Sequence, residues 1–170
     1  AMIRYLEDGG VRSLLYGGNA NLYNVSVREF PALLDLLETE SGVDTWVIPT
    51  VGPDFGKMLD QAEILAGRDF PTVMILPIAF PFTDAGLATG IRPFAERYGK
   101  PVALYIKSAT YLEPATVAAL SADALVSWAK YGCVRKDPSV YLHLLAVLVV
   151  VCPHLVASDI QVPPSIVALG

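Results

Sequence analysis

Six short, β-rich runs, most of them continuously apolar, recur along the chain at the interval of one strand-plus-helix unit. They begin at Val11 (VRSLLY), Thr45 (TWVIPTV), Thr72 (TVMILPI), Val102 (VALYI), Leu125 (LVSWA) and Leu155 (LVASDI), with starts 34, 27, 30, 23 and 30 residues apart. A strand with one wet face alternates polar and apolar residues, whereas a strand covered on both faces does not. The pattern therefore predicts buried parallel strands joined by right-handed helical crossovers. Helical patterns fill the gaps, starting with Met2–Asp8. Ser26-Val27-Arg28-Glu29 has the form of a capping box, and Phe30, Leu33, Leu34, Leu36 and Leu37 supply an apolar stripe behind it. Lys57–Leu65, Thr83–Tyr98 and Glu113–Leu120 continue the series. Gly99 suits a helix C-cap, and Asp137-Pro138 suits an N-cap with proline at the first helical position.

Two α/β architectures satisfy this order. One is an open doubly wound sheet, and the other is a (β/α)8 TIM barrel. Six units fall short of the roughly 250 residues of a complete barrel. The chain opens on a helix and closes on Ser165–Gly170, which reads as a helix heading towards another strand. A barrel without its first and last strands has that form. Periodicity leaves both architectures open.

Composition narrows the function classes. The 170 residues are 54% hydrophobic and 17% charged, which excludes a disordered chain and suits a single domain over residues 1–170. A net charge of −5 without a basic patch argues against a nucleic-acid partner. Cys133 and Cys152 make neither a disulfide framework nor a zinc site, so they read as small buried hydrophobes in a reducing compartment. Residues 140–158 carry no Asp, Glu, Lys or Arg, but Pro153 breaks a stretch already too short to cross a bilayer. The first eight residues lack an apolar signal region. No membrane association and a cytoplasmic location are the expectations.

Reactive groups in either architecture belong at the C-terminal ends of strands. Lys130 follows the apolar run Leu125–Ala129. Desolvation there disfavours the ammonium form, and a neutral amine can attack a carbonyl to form a Schiff base. The competing reading is a strand-end lysine that reaches into solvent. Tyr105 ends the preceding run and would lie on the neighbouring strand, where its phenol can carry a proton to or from the carbinolamine. Gly17-Gly18-Asn19-Ala20-Asn21 is a small-residue loop whose amides can approach a carboxylate, or simply a tight turn. His143 and His154 have no carboxylate near them in sequence. Asp54, Asp123 and Asp137 read as turn or cap residues. No metal-ligand, nucleotide-binding or serine-hydrolase motif occurs, so neither metal nor organic cofactor is expected.

These residues resemble the dihydrodipicolinate synthase / N-acetylneuraminate lyase family of Schiff-base-forming barrels. Gly17–Asn21 and Ser26–Glu29 stand where that family has Gly-Thr-Thr-Gly-Glu and Leu-Ser-x-x-Glu. Pro71–Phe82 resembles its fourth strand, Pro101–Tyr105 its Pro-Val-x-Leu-Tyr, and Leu112–Val117 its Leu-x-Pro-x-Thr-Val. Leu125–Lys130 falls where Ile-x-Gly-Ile-Lys carries the imine lysine. The resemblance runs from about residue 3 to 140. It implies a (β/α)8 barrel with about six βα units, strands two to seven, in this chain. The family's first strand and C-terminal region would lie beyond it, or another chain would cover the gap.

By the same resemblance, Lys130 would form the imine with pyruvate or a related 2-oxo acid, and Tyr105 would transfer the proton. Gly17, Gly18 and Asn19 would bind the substrate carboxylate, with Gly18 and Asn19 at the positions of two threonines. A homo-oligomer, dimer or tetramer, is implied too. The departures are specific. Ile78 and Ala79 replace a tyrosine pair, Ile106 replaces an asparagine, and residues 107–111 contain no arginine for a second carboxylate. They favour a divergent lyase, aldolase or dehydratase acting on a sugar-derived 2-oxo acid over dihydrodipicolinate synthesis. The alternatives are a catalytically silent barrel homologue that binds a small molecule or serves assembly, and a doubly wound nucleotide-binding domain without its glycine fingerprint.

Overall fold

The computed structural model describes residues 2–18, 21–108 and 110–133, together with Ser139, Leu142 and Ala146. Strands and helices alternate through them. The order is α1 (Met2–Asp8), β1 (Ser13–Tyr16), α2 (Phe30–Glu40), β2 (Trp46–Val51), α3 (Phe55–Leu65), β3 (Met74–Ile75), α4 (Asp84–Tyr98), β4 (Val102–Ile106), α5 (Pro114–Ala122) and β5 (Val126–Tyr131). All five strands are parallel, and each pairs with the one before it, in the order β1-β2-β3-β4-β5. This is the sequential winding of a barrel. A doubly wound sheet reverses its strand order at a switch point. The Leu155 run, Asp137-Pro138, His143, Cys152 and His154 lie outside the described residues.

Two apolar layers follow from the strand alternation. Val47, Val51, Ile75, Val102, Leu104 and Ile106 face the helices and join the larger core. Ile48, Met74, Leu76, Ala103 and Tyr105 face the other way and form a second, smaller cluster with Leu22. Strands buried on both sides explain the unbroken apolar runs of the sequence. On the helix side, Phe30, Leu34 and Leu37 of α2 are buried at helical spacing, as are Met58, Ala62 and Leu65 of α3 and Ile91, Phe94, Ala95 and Tyr98 of α4. Leu36, placed in the α2 stripe by its sequence position, instead faces solvent.

Local signals match their structures. The Ser26 hydroxyl donates to Glu29 Oε2 over 2.7 Å and accepts from the Glu29 amide over 3.2 Å. The Ser26 amide donates to the same carboxylate over 3.3 Å. The box closes one turn ahead of the assigned start of α2. Thr83 caps α4 by accepting from the Gly86 amide, and Gly99 ends that helix at a φ of 79°. Only Glycine tolerates such a φ without strain. The β3 ladder is shorter than its seven-residue apolar run. Hydrogen bonds from Leu76 to Val51 and from Ala103 to Val73 extend the pairing, and Pro77 then removes the next donor.

Candidate active site

The C-terminal ends of the five strands meet on the concave face. Tyr105 of β4 and Lys130 of β5 are direct register partners there. Their placement depends on an irregularity in β5. Val102 pairs with Val126, but Ala103 pairs with Trp128, so Ser127 is an extra residue in the register. Val126 faces the helices, and unbroken alternation would send Trp128 and Lys130 after it. The one-residue bulge reverses the alternation. Trp128 packs against the concave cluster, and Ala129 and Tyr131 join the helix-side core. Lys130 therefore points into the concave side. The strand also runs on to Tyr131, past the Ala129 end expected from sequence.

Lys130 is half-buried, with its Nζ 4.4 Å from the ring centroid of Tyr105. Tyr105 itself is only 6% exposed. Glycines give the ring its space. A β-carbon at Gly132 would fall 2.8 Å from Tyr105 Cε2, and one at Gly18 would fall 3.5 Å from Cε1. Gly17 is buried at a φ of 122°, and a β-carbon there would collide with the Thr50 hydroxyl and Leu22. The structure thus brings Gly17, Gly18, Tyr105 and Lys130 to one mouth. Asn19 lies outside the described residues.

Sequence reasoning noted Thr50 only as a strand-end position without a role, and missed Tyr23 and Tyr111. Thr50 is 1% exposed, and its hydroxyl has no hydrogen-bond partner among the described residues. Tyr23 packs against the concave cluster, and Lys57 Nζ holds its carbonyl over 2.9 Å. Burial, reinforced by Tyr105, pushes the Tyr23 phenol up. Burial also pushes the Tyr111 phenol up to about 12, against a backbone hydrogen bond at Ile78 that pulls the other way. The weak sequence signal for these residues was position alone: Thr50 is the last residue but one of β2, Tyr23 lies in a short 3-10 turn after β1, and Tyr111 lies in the loop after β4. Ile78, half-buried, and Ala79, exposed, occupy the loop after β3. Among the described residues no group of three or more His, Cys, Asp or Glu side chains could hold a metal ion. No described helix is long and apolar enough to cross a membrane.

The fold is a partial (β/α)8 barrel, and solved structures of that kind match it. A putative dihydrodipicolinate synthetase from Pseudomonas aeruginosa aligns at a TM-score of 0.77 and 20% identity, over 92% of this chain and 55% of its own. The 2-keto 3-deoxygluconate aldolase of Picrophilus torridus aligns at 0.74 and 14%, over 91% and 56%. A prophage protein of the dihydrodipicolinic acid synthase family from E. coli K12, solved with pyruvate, aligns at 0.74 and 16%, over 92% and 55%. The chain spans about half the length of the structures it matches. At these identities the likeness establishes the fold, and the family resemblance read from the sequence is met at that level. No protein-family profile matches the sequence. No curated protein matches it.

Proposed function

We propose that the protein is a class I, Schiff-base-forming lyase or aldolase acting on pyruvate or a related 2-oxo acid. The observation that carries this reading is the half-buried Lys130 amine on the face of Tyr105, turned inward by the Ser127 bulge. The amine attacks the 2-oxo carbon, and water leaves the carbinolamine as Tyr105 supplies a proton. The resulting iminium accepts the electron pair of an adjacent breaking bond. Carbon–carbon cleavage, its reverse, or dehydration then follows. Amides of the Gly17–Asn19 loop hold the substrate carboxylate. A homo-oligomer in the cytoplasm belongs to the same reading.

Support comes from fold neighbours whose names are those of lyases and aldolases, one of them solved with pyruvate. Sodium borohydride with pyruvate tests the reading. Hydride reduces the imine carbon and leaves a stable secondary amine, located by peptide mass spectrometry. Labelling at Lys130 that disappears in Lys130→Ala is expected. The second reading, a silent barrel that binds a small molecule, is favoured by Ile78 and Ala79 where the resembling family carries tyrosines. Absence of an adduct with every 2-oxo acid tried would decide for it.

A further inference from the structure

The Tyr105 ring stands in a slot whose two edges carry no side chains. Gly18, after β1, borders one edge, and Gly132, after β5, borders the other. The edges are unequal. A β-carbon at Gly18 would meet Tyr105 Cε1 at 3.5 Å and Met74 Cε at 3.8 Å, which is ordinary van der Waals contact. One at Gly132 would lie 2.8 Å from Cε2, 3.4 Å from the phenol oxygen and 3.5 Å from Cζ. The first of these is closer than carbon atoms pack. Both sides are held. The Gly132 amide donates to the Ile106 carbonyl over 2.7 Å, which ties that backbone to the end of β4. Tyr105 packs in the concave cluster with Leu22, Ile48, Met74, Leu76 and Ala103. The backbone itself does not ask for glycine here: Gly10, Gly17, Gly52 and Gly99 have a positive φ, and Gly132 does not. What position 132 requires is the missing side chain.

We propose that Gly132 is a positioning residue for the phenol, and that the space left by its missing side chain sets where the Tyr105 hydroxyl stands relative to the Lys130 amine. This rests on the imine reading above. Lys130 Nζ lies over the ring face, 4.4 Å from its centroid, while Gly132 borders the ring edge two residues further along the chain. One short segment thus carries both the amine and the limit on the phenol. In the dehydration step the nitrogen lone pair closes the C=N bond as the carbon–oxygen bond breaks. Tyr105 gives its proton to that oxygen, which leaves as water. The hydroxyl must therefore lie within hydrogen-bond reach and in line. A β-carbon at 132 displaces the ring towards Gly18 and carries the phenol oxygen with it. Misplacement by about 1 Å costs on the order of 10²-fold in rate, and the displacement here is a fraction of that.

The test times borohydride trapping of pyruvate on the full chain, in the unaltered protein, in Gly132→Ala, in Tyr105→Phe and in the double variant. Gly132→Ala should lower the labelling rate at saturating pyruvate by about tenfold and change the half-saturating concentration by less than about twofold, since the amides that hold the carboxylate are not altered. The Tyr105→Phe background has no proton to misplace, so adding Gly132→Ala to it should cost less than about twofold. A merely structural role would harm Lys130 equally in both backgrounds, so the difference between them is the readout. An unchanged rate in Gly132→Ala overturns the inference. The same proportional loss in both backgrounds overturns it too, complete loss through misfolding included. Labelling of the unaltered protein with such equal losses sinks this inference alone. No labelling of the unaltered protein by pyruvate or any other 2-oxo acid sinks the imine reading and this inference with it.

Discussion

Three side chains decide what the mouth can do. Tyr105→Phe keeps the ring that Lys130 rests on and removes the proton carrier. Turnover should fall by about 10²–10⁴-fold, the span of a general acid–base group, while slow borohydride trapping at Lys130 persists. Steady-state kinetics beside trapping would check both halves, and equal loss of both would contradict the role. Thr50 makes a stability prediction with the opposite sign to most core changes. A buried hydroxyl without a partner costs about 1–3 kcal/mol. Thr50→Val should therefore raise the unfolding free energy by roughly 1 kcal/mol, measured by urea denaturation. A loss of that size would mean the hydroxyl is already satisfied. At this scale the sequence disclosed which amine and which phenol would meet, since both end consecutive apolar runs. It did not disclose the direction of Lys130, because one extra residue in β5 sets that direction and leaves no compositional trace.

The elements explain why direction is hidden and how it is maintained. Deleting Ser127 would make Val126 and Trp128 consecutive, so plain alternation would return with Tyr105 and Lys130 still in register and Lys130 still on the concave side. The deletion variant should keep its far-UV spectrum and its trapping at Lys130; trapping that is lost would reject Ser127 as the one extra residue of the register. The capping box before α2 gives a pH-dependent prediction. Hydrogen bonds from the Ser26 hydroxyl, then its amide, hold the Glu29 carboxyl below its usual range. A depressed carboxyl pKa stabilises the fold above the unfolded value and loses that contribution as pH falls through the folded one. Ser26→Ala should thus be less stable than the unaltered protein at neutral pH, and the two should converge in acid below the ordinary glutamate range. Thermal melts across that range would show it. This box was legible because its signal is four consecutive residues. The short β3 and the solvent-facing Leu36 were not, because hydropathy reports burial and does not report ladder length or which neighbour a side chain meets.

Across the molecule, charge and exposure are unevenly spread. The net charge is −5, yet Lys57, Lys107 and Lys130, three of the five lysines, gather at the C-terminal mouth. The helices are linked at the periphery by ion pairs: Arg4 to Glu40, Arg68 to Asp35 and Glu38, Arg97 to Glu63, and Arg92 to Asp123. Exposed pairs contribute little energy each, so their service is to orientation. At the opposite end of the concave face Trp46 is 63% exposed and Leu15 is open as well. With Trp128 replaced by Phe, Trp46 emission from the chain alone should be red-shifted and readily quenched by acrylamide. A blue, quencher-resistant emission would show that this corner is covered. The barrel class was legible from spacing joined to a family resemblance, whereas the exposure of this face depends on what surrounds it, which no local pattern encodes.

The strictly consecutive pairing of β1 to β5 also bears on how such a chain comes into being. Each of β2 to β5 finds its template in the strand immediately upstream, so among the described strands nothing made early must wait for something made late. A polypeptide emerging from the ribosome can lay down one rung at a time, and the strand bearing Lys130 follows the other four described strands. Ribosome-stalled fragments of increasing length would then acquire protease resistance stepwise, from the amino end onward.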